Sequence, residues 1–560
     1  MNVPAQSSLI RIRALLIGVV VLVAYVYFYQ GGGWNQNSRF DLVRAMVELG
    51  TLRIDAYHEN TGDKAFANGH YYSDKAPGLA LLAEPIAEAT RPLLRAGEVD
   101  PDSARGLVAM SYVVTVFGVA LPMAVACAVL FLIALQLGSD TSAAAFGALA
   151  LGLATPMWAY STLFWGHSLA GACLVFGFAF ALRLCRNQSH TGDVLLGLAV
   201  GLTAGWATVT EYPAAPAAAI VAALAVGLVW KDGWPRRWRT SVGIAIGASA
   251  CIAVLLTYQF LVFGSAFQPS YSYYPAGAFP WMKHGYMGVT YPRIDVALKL
   301  LFGCRRGLLF VAPVALAAPF GLRWLRKQPT GRAAAAAAAA VAAVAAYYFL
   351  FNASFVAWAG GRSYGPRYMA AGLPLLCVGL APAWSKARPF LARWTCGSRS
   401  LWWCVCADSS LHHGTASFRV SMSPGPALMA VVLGGQILPE SEIDANDFRR
   451  TDRACTRRFQ PGRTGRPAWL GESDSAVGCV GSRGCSLGLD KSSRAVRAAP
   501  NPALGAELSP HKPESIPPKN EVFIDWRVVF RCGSVWSFEA ELLGRVCDRP
   551  FSLTPIFSVH

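Results

Sequence analysis

The sequence predicts an all-α, polytopic membrane protein of about ten transmembrane helices, with a polar first extracytoplasmic loop and a poorly structured C-terminal tail. Three observations predict it. Of 560 residues, 54% are hydrophobic and only 14% charged, where a soluble globular protein carries about a quarter charged; mean hydropathy is +0.38. The apolar residues fall in blocks of roughly twenty, the length that crosses about 30 Å of hydrocarbon. Much of the Lys and Arg behind the net charge of +17 lies in short connections between those blocks, as the positive-inside rule requires. No nucleic-acid-binding motif accompanies the charge, so nucleic acid is excluded as a partner.

Taken in order, the first span is residues 14–30, preceded by Arg11 and Arg13. The run is long for a signal peptide and no small-residue cleavage site follows, so it reads as an uncleaved span that starts in the cytoplasm. A polar stretch follows. Residues 78–94 are apolar but interrupted by Glu84, Pro85, Glu88 and Arg91, which suits an interfacial or partly buried helix. Residues 107–138 form span 2. Spans 3 to 7 are expected at 143–158, 164–184, 193–209, 214–230 and 241–263, and spans 8 to 10 at 307–323, 333–351 and 369–385.

With ten spans, the basic connections 183–186, 231–239, 323–332 and 386–393 all fall on the side of Arg11 and Arg13, the cytoplasm. The loops 31–106, 160–167, 210–213, 264–306 and 352–368 then share the opposite side. Losing or adding one span would put basic loops on both faces. Beyond residue 388 hydropathy drops and Ser, Arg, Gly, Pro and Cys dominate. The segment 388–560 is expected to be a disordered tail or out-of-frame translation, and carries no assigned chemistry. Of 14 cysteines, Cys127, Cys173, Cys185, Cys251, Cys304 and Cys377 stand singly in apolar runs, where Cys behaves as a small hydrophobe; no disulfide framework is expected.

Two stretches of the first loop can carry chemistry. In 38–50, Phe40, Val43, Met46, Val47 and Gly50 share one helical face, and Asp41, Arg44 and Glu48 the other. Ser38 and Asp41 make a capping pattern that starts the helix there, so a surface helix with its charged side up is expected. Asp41–Arg44 and Arg44–Glu48 are equally readable as ordinary helix pairs. In Gly69-His70-Tyr71-Tyr72-Ser73-Asp74-Lys75-Ala76-Pro77-Gly78, Lys75 is a point charge suited to phosphate. Asp74 either orients it or serves as a base; a plain surface turn is the bland alternative. The aromatic residues Trp34, Tyr71, Tyr72, Tyr271, Tyr273, Tyr274 and Trp281 offer flat surfaces to a sugar or lipid, or form the interfacial belt. No metal-ligand spacing marks His70, His167 or His284. Glu211 is buried, functional or at the water boundary.

Together these motifs resemble the first outer loop of the GT-C glycosyltransferases, the group of the bacterial aminoarabinose transferases and protein O-mannosyltransferases. The resemblance rests on Ser38-Arg39-Phe40-Asp41 through Gly50 and Tyr72-Ser73-Asp74-Lys75-Ala76-Pro77-Gly78. Thr155-Pro156, Tyr160-Ser161-Thr162, Gly166-His167, Thr210-Glu211-Tyr212-Pro213, Phe263-Gly264-Ser265, Arg306-Gly307-Leu308 and Ser363-Tyr364-Gly365-Pro366-Arg367-Tyr368 follow in order. It covers residues 10–385 and not the tail. It implies a GT-C-like domain over 1–387 and a sugar donor carried on a polyprenyl phosphate. Transfer would occur at the outer face of a bacterial-type inner membrane, to a lipid or cell-envelope glycan acceptor. The family's lysine at the carrier phosphate matches Lys75. Where the family often carries Asp-Glu before the Arg, this chain has Gln36-Asn37, neither of which can act as a base. Asp41 is the nearest carboxylate, with Asp55 and Asp74 as substitutes.

The chemistry agrees with that expectation. Moving a sugar off a phosphate needs cations near the departing oxygens and a carboxylate near the attacking hydroxyl. The expected catalytic residues are Asp41 and Asp74. The expected substrate-binding residues are Arg39, Tyr72, Lys75, His167, Arg305, Arg306 and Arg367, with Arg362 a further outward cation. No cofactor is implied; a divalent metal is the one addition this chemistry accommodates. Two rivals remain. A transporter or flippase of lipid-linked sugars would place charges within spans and break helices near mid-membrane, whereas here charges cluster in loops. A catalytically inactive family member would account for the missing acidic pair.

Overall fold

The computed structural model describes residues 3–304, 306–327, 331–361 and 363–395, together with 525–529, 539–546 and 549–553. The chain divides into two compact units, Met1–Leu438 and Pro439–His560. The first is helical. Helix α1 (Val3–Tyr27) is followed by α2 (Trp34–Leu49), a hairpin of β1 (Lys64–Ala67) and β2 (His70–Ser73), and α3 (Gly78–Ala96). Next come α4 (Ala104–Thr115) and α5 (Leu121–Gln136), fused through a π-helical turn at Val116–Ala120, then α6 (Thr141–Leu153), α7 (Met157–Ser161), α8 (Gly166–Leu184) and α9 (His190–Thr210). The rest comprises α10 (Ala215–Leu228), α11 (Trp234–Phe263), α12 (Ile294–Phe302), α13 (Leu308–Val311), α14 (Ala318–Leu325), α15 (Arg332–Ser354), α16 (Leu373–Leu376) and α17 (Leu380–Thr395). The second unit contains β3 (Asp525–Val529), β4 (Glu539–Val546) and β5 (Arg549–Leu553), an antiparallel sheet in that order. The rest of the expected tail lies outside the described residues.

Among the described residues, seven helices are long and apolar enough to cross a membrane: Ser7–Tyr27, Ala104–Gln136, Gly166–Leu184, His190–Thr210, Trp234–Phe263, Arg332–Ser354 and Arg367–Arg388. Two expected spans are shorter apolar helices, Thr141–Leu153 and Tyr212–Leu228. The first is cut short before Thr155-Pro156 and the second begins at Tyr212-Pro213, where proline cannot join a preceding helical turn. The expected span 307–323 is broken into α13, a 3-10 turn at Pro313–Ala317 and α14, because Pro313 interrupts the ladder. Residues 78–94 form one helix despite Pro85 and Pro92, burying Leu79, Ala80, Ala83, Ala87 and Thr90 on one face. Cys304 is disulfide-bonded, unlike Cys127, Cys173, Cys185, Cys251 and Cys377, which are free thiols.

Close backbone approach holds the bundle where the hydrophobic effect cannot: lipid tails are as apolar as leucine, so small residues at interfaces do the work. Helices α9 and α11 meet along Gly197, Gly201 and Gly205. A Cβ on Gly201 would lie 2.2 Å from the Ile244 carbonyl oxygen, so only glycine fits. At one end of the pair, Asp193 accepts from Arg236 at 3.0 Å and from Arg239 at 3.1 Å. This ties the start of α9 to the start of α11, and Arg236 also donates to the Leu184 and Asn187 carbonyls at the end of α8.

The loops expected to share the other face are bonded to one another. Tyr160 donates to the Tyr364 carbonyl and Ser270 to the Asp74 carbonyl; Gln30, at the end of the first span, donates to Thr162, and Tyr347 of α15 to the Pro213 carbonyl. One end of the bundle therefore gathers the first loop, the α7–α8 turn, the α9–α10 break and both late loops.

Candidate active site

The site begins with the hairpin. Asn68 (φ 53°) and Gly69 (φ 81°) form its two-residue turn, the pair that favours the left-handed conformation a tight hairpin needs. The register pairs Lys64 with Ser73, which sets Asp63 opposite Asp74. Lys75 lies between them: its Nζ donates to Asp63 Oδ2 at 2.7 Å and to Asp74 Oδ2 at 2.9 Å. Asp74 is fully buried. Its Oδ1 accepts from Ser38 at 3.2 Å, and its Oδ2 also accepts from Tyr274 at 3.0 Å. Burial raises the Asp74 carboxyl above its usual range, against the pull of Lys75. Burial works to lower the Lys75 ammonium, but Asp63 and Asp74 outweigh it and the group is held protonated.

A second chain of charges runs alongside. Arg39 donates to Glu211 Oε1 at 2.7 Å, to Asn35 and to the Ala76 carbonyl. His167 Nδ1 faces the same Glu211 oxygen at 3.4 Å. On the other side of the ring, Arg367 Nε donates to His167 Nε2 at 3.2 Å. A guanidinium cannot accept, so Nε2 must be the unprotonated nitrogen, and the ring proton sits on Nδ1, toward Glu211. Arg367 also lies 4.5 Å from the Trp165 ring centroid, a cation–π contact that fixes the guanidinium plane. Gly166 makes the approach possible: a Cβ there would lie 2.3 Å from Glu211 Oε1.

Arg306 closes the site from the late loops, donating to Ser363, to the Gly365 carbonyl and to the Gly361 carbonyl. The site thus holds Arg39, Lys75, Asp74, Glu211 and Arg306 buried, with Arg367 and Asp63 partly exposed beside them. Such groups are tolerated away from water because each is held by a charged or hydrogen-bonding partner.

No family model matches the chain, and no curated protein does. Its fold is similar to that of ArnT. The structure of ArnT from Cupriavidus metallidurans in the apo state matches at 18% identity over 70% of this chain and 62% of that one, with a TM-score of 0.44. The same protein bound to undecaprenyl phosphate matches at 16% identity over 70% and 64%, with a TM-score of 0.43. The oligosaccharyltransferase of Archaeoglobus fulgidus in the apo form matches at 12% identity over 82% and 61%, with a TM-score of 0.37. The chain thus spans less than two thirds of the length of each of these structures.

The structure brings Arg39, Asp74, Lys75, His167, Arg306 and Arg367 to one end of the bundle, and treats the other expected residues differently. Arg305 and Arg362 lie outside the described residues. Helix α2 starts at Trp34, not at Ser38; the Ser38 hydroxyl is drawn across to Ser73 and Asp74 instead of capping its own helix. The charged side of α2 is not turned to water either: Ser38, Arg39 and Asp41 are buried. Asp41 Oδ1 accepts from Asn60 at 3.0 Å, while its buried Oδ2 has no hydrogen-bond partner. Burial raises its carboxyl to about 7. Tyr72 is 5% exposed and packs edge-on against Phe263, so its ring belongs to the core and offers no open stacking surface. Asp55 is engaged with His70 and the Tyr71 amide.

Asp63 was not among the expected residues. The Asn68-Gly69 turn flanked by Ala65, Ala67, Tyr71 and Tyr72 is the hairpin signal that would have set it opposite Asp74.

Proposed function

We propose that the chain is a membrane glycosyltransferase that moves a sugar from a polyprenyl-phosphate donor to an extracytoplasmic lipid or cell-envelope glycan. The observation that carries this reading is the convergence of Lys75, Arg306 and Arg367, from three separate loops, at one end of an apolar bundle. The motif resemblance over residues 10–385 supports the same reading. The Arg forks would match phosphate oxygens in bidentate fashion, and Lys75 would add a point charge. Cations fixed before the reaction stabilise the charge that grows on the departing phosphate, at no cost of reorganisation.

The carboxylates divide the remaining work. Both oxygens of Asp74 are occupied, which makes it the group that positions Lys75 rather than a base. Asp41 keeps one oxygen uncommitted, and burial brings its pKa to about 7, near the working range of a general base. It is the carboxylate suited to take the proton of the acceptor hydroxyl. Glu211 and His167 hold Arg39 and Arg367 in place. The test is consumption of undecaprenyl-phosphate-linked sugars by membranes containing the full chain. Release of undecaprenyl phosphate from at least one sugar donor is expected. No consumption of any donor by folded protein would overturn the reading.

A further inference from the structure

Lys75 is held by two carboxylates that differ in burial and in side-chain anchoring. Asp74 is fully buried and anchored by Ser38 and Tyr274 through its side chain and by Ser270 through its backbone. Asp63 lies at the edge of the hairpin, with 13% of its side chain exposed and Lys75 as its ion-pair partner. Asp63 is also within electrostatic reach of Tyr274 of the aromatic loop and of Arg367 and Tyr368 of the last loop. It therefore occupies the outer side of Lys75, the side from which an incoming anion would reach the ammonium.

We propose that Asp63 is a resident stand-in for the phosphate: it neutralises Lys75 in the empty site and swings out when a phosphate headgroup takes its place. The exchange replaces one anion by another beside Lys75, so the buried ammonium keeps two anionic partners throughout. Asp74 remains on Lys75 throughout and keeps its Nζ aimed at the vacated position. The edge-of-hairpin location gives Asp63 water to move into. The inference rests on the phosphate reading above. It adds that affinity for the headgroup is set by competition with this chain's own carboxylate.

The test measures binding of undecaprenyl phosphate to the purified full chain in detergent, for the parent, Asp63→Asn, Lys75→Met and, as control, Asp102→Asn, a residue paired with Arg91 at the surface. Removing a competing charged hydrogen bond should tighten binding roughly tenfold in Asp63→Asn, while Lys75→Met loses binding and the control matches the parent. Should Asp63→Asn fail to fold, Asp63→Ser serves the same comparison. Unchanged or weaker binding in the Asp63 variant, with Lys75→Met still impaired, overturns this proposal and leaves the phosphate reading standing. Undiminished binding in Lys75→Met overturns both. A parallel titration with inorganic phosphate separates sources: tightening there too assigns the exchange to the phosphate group itself, and tightening with the lipid alone assigns it to the membrane-held headgroup.

Discussion

Arg39 and Glu211 form a 2.7 Å ion pair across 172 residues of sequence. The guanidinium comes from the middle of α2 and the carboxylate from the break that ends α9. Both are buried, so the pair fixes the first loop to the bundle and supplies the oxygen that faces His167. Glu211→Ala leaves Arg39 uncompensated, and breaking a buried pair from one side costs about 3–5 kcal/mol. The variant is expected to unfold at lower temperature in detergent. Glu211→Gln, which keeps an acceptor for Arg39, should recover part of the loss. Equal unfolding temperatures for Glu211→Ala and the parent would show that the pair does not bind the two segments.

The docking of α3 makes a second, steric demand. A Cβ on Gly78 would lie 2.7 Å from the Thr210 backbone nitrogen and from its hydroxyl. Backbone cannot move aside as a flexible side chain can, so Gly78→Ala is expected to cost about 1–3 kcal/mol, the range for overpacking. Because Gly78 follows Lys75 by one turn of chain, the displacement should also lower transfer activity. Substituting Gly97, which has only the Leu93 and Leu94 carbonyls near at 3.6 and 3.5 Å, should leave activity intact.

Most of the helical architecture was legible because an apolar block of membrane length has few other uses. The break at Pro313 was not, since hydropathy alone treats 307–323 as continuous. In the site, the Asp74–Lys75 contact follows from adjacency, and Arg367 and His167 from motifs. The Arg39–Glu211 pair was not legible. It depends on how α2 rotates when its polar residues, Asn35, Ser38 and Arg39, find partners in the protein. Periodicity placed Asp41 on a water-facing side because it counts apolar residues and cannot see buried polar networks. The hairpin partner of Asp74 was written in Asn68-Gly69, a signal that specifies register once the strands are recognised.

Asp41 gives the fold a pH dependence. Its carboxyl is raised to about 7 in the folded protein from 3.8 as an unburied group. The folded state therefore holds a proton that the unfolded state has already released. Stability falls as pH rises from about 4 to about 7, and levels off above. Asp41→Asn should flatten that part of the stability–pH curve and be relatively more stable than the parent at pH 8. Parallel curves for the two proteins would refute the assignment.

Sidedness can be read directly. Phe66 on the hairpin is 44% exposed and Tyr364 in the last loop 46%, and both belong to the loops that surround Lys75. Phe66→Cys and Tyr364→Cys are expected to react with a membrane-impermeant maleimide from the same compartment, and Trp234→Cys, at the start of α11, from the opposite one. Reaction of the first two from different compartments would separate the loops that the proposed chemistry joins.

The most direct measurement is single-turnover release of undecaprenyl phosphate from a donor sugar by Lys75→Met, which keeps the side-chain stem and removes the charge, at a folded yield matched to the parent. The account predicts a loss of about 100-fold or more, the scale for removing a preorganised charge from a developing anion. Undiminished release by the folded variant would contradict it.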